Sequence, residues 1–93
     1  MARSAARLVV EGRVQGVGYR GWVVETARRL GLAGWVRNRA DGSVEVLAIG
    51  EADNVGRLLG ACSEGPAGSA VQSVRTEAAQ DDGSVDFEQR ATL

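Results

Sequence analysis

The residues best able to do chemistry lie in one stretch, Gly12-Arg13-Val14-Gln15-Gly16-Val17-Gly18-Tyr19-Arg20. It follows an apolar strand-like run, Leu8-Val9-Val10, and leads into a helix-like run from about Gly21 to Leu30. Glycine allows positive φ and close approach of a ligand to the backbone. A helix start leaves backbone N–H groups unpaired at the positive end of the macrodipole, which suits an anion. Arg20 adds a planar, permanently charged fork that matches phosphate oxygens. The stretch therefore reads as a phosphate cradle. Its spacing matches neither G-x-x-x-x-G-K-[ST] nor the dinucleotide fingerprint, and a turn of this composition serves equally well as a tight connection.

The rest of the composition narrows the chemistry. The 93 residues include no histidine, which removes histidine general-base catalysis, Ser–His–Asp and Cys–His arrangements and the usual zinc sites. The lone cysteine, Cys62, can form no internal disulfide and falls on the apolar side of a predicted helix, as a buried inert thiol would. No carboxylate cluster near the cradle calls for a metal, and no cofactor is expected. A net charge of −1 gives no general attraction to nucleic acid or to an anionic membrane. Every basic side chain is arginine, which reads as a compositional bias. The N-terminal Met-Ala-Arg-Ser-Ala-Ala lacks the apolar run of a signal peptide, and no segment reaches transmembrane length, so a cytoplasmic setting is expected.

The elements that must position the stretch follow from periodicity. After a loose start over residues 1–5, Ala6 to Val14 read as a strand, with Leu8, Val10 and Val14 on one face and Arg7, Glu11 and Arg13 on the other. Gly21 to Leu30 form a helix with an apolar stripe of Val23, Val24, Ala27 and Leu30. Trp35 to Arg39 and Ser43 to Ile49 form two strands around an Asp41-Gly42 hairpin turn. Val36 and Asn38 share one face of the first of these. In the second, Val44, Val46 and Ala48 share one face, and Leu47 and Ile49 point to the other, as a weak contact patch or simply exposed. A second helix, Ala52 to Ser63, carries Val55, Leu58, Leu59 and Cys62. Val71 to Ala79 is a strand, and Val85 to Gln89 is a short last strand anchored by Phe87. The order β-α-β-β-α-β is a ferredoxin-like split βαβ sandwich of α+β class, an antiparallel sheet with two helices on one face. A single domain over 1–93 is expected, with a core from about 6 to 90.

In that topology Asn38 lies near the mouth of the cradle. An uncharged amide can hold a water by donating one hydrogen bond and accepting another. It can equally cap the Asp41-Gly42 turn.

With Asn38 in place, the sequence resembles the acylphosphatase family. Residues Gly12 to Arg20 resemble its motif G-[RK]-V-Q-G-V-x-[FY]-R. Gly31-Leu32-Ala33-Gly34-Trp35-Val36-Arg37-Asn38, with Asp41-Gly42 and Val44, resembles G-L-x-G-W-V-x-N-x-x-D-G-x-V. Gly65-Pro66-Ala67 and Val71 resemble a later G-P-x stretch. The likeness spans about residues 6 to 88. It implies hydrolysis of acyl phosphates to carboxylate and inorganic phosphate, with Arg20 binding the phosphoryl group and Asn38 positioning the attacking water. The phosphate-binding loop would be Gln15, Gly16, Val17, Gly18, Tyr19 and Arg20, holding phosphate oxygens through their N–H groups. Phosphate would be product and competitive inhibitor, and a monomer is expected. Arg13, Arg37 and Arg39 either add positive potential near the mouth or are solvated arginines. Tyr19 and Trp35 read as packing residues and Asp41 as a turn residue. Glu11, Gly21, Gly56 and Gly60 depart from the family pattern, and bear on stability and rate more than on reaction class.

Two other readings share parts of this pattern. A non-catalytic anion-binding or regulatory module on the same fold would bind phosphate without hydrolysing a substrate. An RNA-recognition module has the same element order but presents aromatics from central strands, and an aromatic content of 4% argues against it.

Overall fold

Side-chain alternation along the first strand sets the layers. Leu8, Val10 and Val14 all turn inward to the main core, with exposures of 0, 0 and 1%. The computed structural model describes residues 3–92; Met1, Ala2 and Leu93, the ends of the expected domain, lie outside the described residues. The elements are β1 (Ser4–Arg13), α1 (Tyr19–Arg29), β2 (Ala33–Asn38), β3 (Val44–Gly50), α2 (Ala52–Glu64), β4 (Ala70–Ala78) and β5 (Phe87–Gln89). They form one five-stranded sheet in the order β4-β1-β3-β2-β5. β1 starts earlier than the loose N-terminal segment expected from sequence, because Ser4 and Ala5 pair with Gly50 and Ile49.

Rows of facing residues cross the sheet. Leu8 lies opposite Val46, and Val46 opposite Val36. In the next row Val10 lies opposite Val44, and Val44 opposite Asn38. Asn38 thus ends an apolar row on the side covered by the helices. From that side α1 contributes Tyr19, Val23 and Ala27, and α2 contributes Val55, Leu58 and Cys62. The Tyr19 hydroxyl donates to the Cys62 carbonyl oxygen at 2.8 Å, tying the first turn of α1 to the last turn of α2.

Three expectations are corrected. The sheet is mixed, not wholly antiparallel: β5 pairs with β2 in parallel. The chain leaves β4 at one edge, crosses to the other, and so returns in the direction of β2. Leu47 and Ile49 are neither exposed nor a contact patch; they are 5 and 1% exposed and cluster with Ala33 and Trp35. The crossing segment 79–86 covers them, with Ala79 packed on the cluster and Asp82 accepting a hydrogen bond from Trp35 Nε1 at 3.2 Å. Finally, α1 begins at Tyr19 and not at Gly21, because Gly18 adopts φ 78° and turns the chain into the helix early.

Candidate active site

The β1–α1 connection is built to leave backbone donors free. A register shift at Glu11/Gly12 leaves Gln72 of β4 as the extra residue, after which Gly12 and Arg13 still pair with Val71 and Ala70; such a bulge bends and twists the pairing near its end. Val14 drops back into the core, and Gly16 and Gly18 take φ of 75° and 78°, which an L side chain rarely adopts. The first helical bond of α1 runs from Trp22 N–H to the Gly18 carbonyl at 3.1 Å. The N–H groups of Gln15, Gly16, Val17, Gly18, Tyr19 and Arg20 have no backbone or side-chain acceptor among the described residues. Such a run at a helix start favours negative charge.

Beside it lies a cleft of about 210 Å³. Val14, Gly16 and Gly18 line it from the connection, and Tyr19, Arg20 and Gly21 from α1. Asn38 closes it at the end of β2 and Gln89 at the end of β5. Arg20 is half-buried and makes no ion pair or hydrogen bond among the described residues. Its guanidinium is therefore uncommitted. Asn38 Oδ1 is buried without a hydrogen-bond partner. A buried amide oxygen left unpaired costs about 1–3 kcal/mol, a cost that a water or ligand bound beside it would relieve.

Asn38 does not cap the neighbouring turn. Asp41 does that, accepting from Ser43 N–H at 2.9 Å and Ser43 Oγ–H at 2.6 Å, and Arg39 N–H closes the hairpin on the Ser43 carbonyl at 2.9 Å. These bonds to Ser43 hold the Asp41 carboxyl below its usual range.

The remaining residues of the expected loop sort differently. Gly16, Gly18, Tyr19 and Arg20 reach the cleft; the side chains of Gln15 and Val17 do not line it. Gln15 Nε2 instead donates to the carbonyl oxygens of Arg39 and Ser43, and Val17 packs against the main core. Arg37 is turned to the opposite sheet face, where it pairs with Glu45 at 2.7 Å and stacks 4.6 Å from the Trp35 ring centroid. It adds no charge at the cleft mouth. Gln89 was missed by sequence reasoning. The available signal was its position two residues after Phe87, which puts both on one strand face.

Among the described residues no carboxylate, histidine or cysteine lines the cleft. Among those residues Tyr19 is the one titratable group besides Arg20, and burial, with contact to Cys62, pushes the phenol well above its ordinary range. The arrangement can hold an anion and orient a water, but its described residues supply no base for neutral pH. Among the described residues no group of His, Cys, Asp and Glu is placed to hold a metal ion.

Fold and cleft together define the class: a ferredoxin-like sandwich whose β1–α1 connection forms one wall of a polar cleft. The acylphosphatase family model matches residues 6–89. An acylphosphatase of Acidiphilium cryptum is 50% identical over 88 residues, covering 95% of this chain and 97% of that protein. The crystal structure of acylphosphatase from Bacillus subtilis superposes with a TM-score of 0.90 at 36% identity, covering 96% of this chain and 99% of that one. An acylphosphatase from Coxiella burnetii gives 0.91 at 38% identity, covering 95% and 93%. The chain belongs to the acylphosphatase family, hydrolases acting on acyl phosphates.

Proposed function

We propose that the cleft is where an acyl phosphate is hydrolysed, with Arg20 and the N–H groups of the β1–α1 connection on the phosphoryl oxygens and Asn38 on the attacking water. The observation that carries this reading is the unpaired buried Oδ1 of Asn38 in the same cleft as the uncommitted guanidinium of Arg20. The water attacks phosphorus as the bond to the acyl oxygen breaks. The leaving group departs as a carboxylate with a conjugate-acid pKa of about 4, so it needs no general acid. One water proton passes to a phosphoryl oxygen, since the described residues of the cleft offer no base. What remains for the protein is positioning and charge stabilisation, the main requirements of phosphoryl transfer.

Inorganic phosphate, the product, would occupy the same donors and compete with substrate. The chain would act as one domain and as a monomer. Its helix-free sheet face is already covered, and Val85 is the one strongly exposed large hydrophobic residue among those described. The test is hydrolysis of benzoyl phosphate with phosphate as inhibitor. Arg20→Ala should weaken phosphate inhibition and turnover together. Asn38→Ala should lower kcat about 10²- to 10³-fold, with phosphate inhibition unchanged. Phosphate binding without any hydrolysis would instead make the protein an anion-binding module.

A further inference from the structure

The short last strand delivers one polar side chain to the cleft. Gln89 lies opposite Val36 in the parallel β2–β5 pairing, in the row that continues through Val46 to Leu8. Those three are fully buried and apolar; Gln89 is polar, exposed and lines the cleft. Asn38 ends the adjoining row on the same sheet face. Two uncharged amides therefore stand side by side at the end of the sheet.

Gln89 is held from both sides. Phe87 is fully buried in the main core. Arg90 N–H donates to the Val36 carbonyl at 2.8 Å, and the Arg90 guanidinium lies 5.2 Å from the Trp35 ring centroid. The Gln89 amide itself makes no hydrogen bond among the described residues. A strand of three residues is thus pinned around a side chain that has no partner of its own.

We infer that Gln89 is a second amide on the attacking water, an inference that rests on the reading of Asn38 as the water-positioning group. A water has two protons and two lone pairs. Asn38 Oδ1 accepts one proton, and a phosphoryl oxygen accepts the other. Gln89 Nε2–H donates to one lone pair, which leaves the second directed at phosphorus. A water held only by Asn38 and the phosphoryl oxygen can still swing its lone pairs about the line joining those two acceptors; Gln89 stops the swing. In-line displacement puts the acyl group on the far side of phosphorus from this water. Gln89 therefore acts on rate and is indifferent to the acyl group.

Gln89→Leu keeps the bulk and removes the donor. It should lower kcat about 3- to 10-fold, the value of one neutral hydrogen bond. The KM and the inhibition constant of phosphate should not change, and the factor should be the same for benzoyl phosphate and acetyl phosphate. Gln89→Glu, which exchanges the donor for an acceptor, should be at least as slow. In an Asn38→Ala background, Gln89→Leu should cost clearly less than it does alone, because a water that has lost Asn38 is already poorly aimed and the bond from Gln89 no longer fixes it in line. An unchanged kcat, a shift confined to KM, a loss that depends on the acyl group, or full additivity with Asn38→Ala would each overturn the inference. If the unmodified protein hydrolyses benzoyl phosphate and Asn38→Ala lowers kcat about 10²- to 10³-fold while Gln89→Leu is silent, only Gln89 is misassigned. If Asn38→Ala leaves kcat intact, both assignments fall. Thermal unfolding of each variant confirms that an exposed substitution has left the fold in place.

Discussion

Gln15 and Arg39 are joined across 24 residues of chain: Gln15 Nε2 donates to the Arg39 carbonyl oxygen at 2.9 Å. The same nitrogen donates to the Ser43 carbonyl, also at 2.9 Å. One side chain thus ties the β1–α1 connection to the hairpin that follows Asn38. The two halves of the proposed site, anion donors and water holder, are kept in register by it.

Cutting this tie should loosen both halves. Gln15→Ala should weaken phosphate inhibition and lower kcat together, where Asn38→Ala lowers kcat alone. Two partly buried hydrogen bonds at about 1 kcal/mol each set the expected loss of stability. Gln15→Glu should be worse than alanine near neutrality, because a carboxylate would face two carbonyl oxygens without a proton to share. Inhibition constants and rates measured on both variants check this. A fall in kcat with phosphate affinity untouched would mean that the tie serves Asn38 only.

The two central residues should respond differently to conservative changes. Arg20→Lys keeps the charge and loses the planar fork, so it should recover part of the phosphate affinity lost in Arg20→Ala and little of the rate. Asn38→Asp keeps the shape but sets a negative charge beside an anionic substrate. If positioning is the role, it should be at least as slow as Asn38→Ala. A rate equal to or above that of the unmodified protein would show that a general base is tolerated there and would contradict the positioning account.

What could be read in advance divides along physical lines. The helix-facing stripe of α2 and the inward face of β1 follow from local periodicity; Val55, Leu58 and Cys62 and the inward residues of β1 are buried as expected, while Leu59 is only partly buried. Arg20 and Asn38 were legible as a pair because their motifs carry them, and the structure brings both to one cleft. The side-chain course of Gln15 was not legible, since it depends on a hairpin closed far along the chain. The burial of Leu47 and Ile49 depends on the 79–86 crossing, a segment with no periodicity to read. The parallel pairing of β5, and with it the place of Gln89, follows from the same crossing.

Two helix glycines are open to improvement. Gly56 and Gly60 are exposed on α2, and a Cβ at either would meet nothing within 4 Å. Neither has a positive φ. Gly→Ala in a helix interior is worth about 0.5–1 kcal/mol. Each kilocalorie raises the melting temperature of a domain this size by about 4–8 °C. Gly56→Ala and Gly60→Ala should therefore each raise the melting temperature by several degrees. Neither residue lines the cleft, so kcat and KM should stay unchanged. Calorimetry and a benzoyl phosphate assay on the same samples decide it; an unchanged or lower melting temperature would point to a packing role that the open space around them does not suggest.

Acid should act on the opposite face of the sheet. Glu45 is buried at 3% exposure and is held by Arg7 and Arg37. Burial alone would raise its carboxyl pKa, but the hydrogen bonds from Arg37 and Arg7 outweigh that and hold it below the ordinary value. The folded pKa therefore lies below the unfolded one, which is about 4.3. A depressed carboxyl contributes stability that is fully present above the unfolded pKa and is lost as pH falls through the folded one. Glu45→Gln removes that contribution and leaves two arginines facing a neutral amide, a loss of about 3 kcal/mol near neutrality. As pH drops below about 4.3, the unmodified protein should lose stability towards that of the variant, so the gap between them should narrow. Asp41 and Asp82 are also held low, by hydrogen bonds from Ser43 and Ser84, and add their own acid sensitivity to both proteins alike. The difference between the two urea-unfolding curves, taken near neutrality and again at about pH 3, isolates Glu45. A gap that stays constant across that range would mean that the pair with Arg7 and Arg37 holds shape without holding charge.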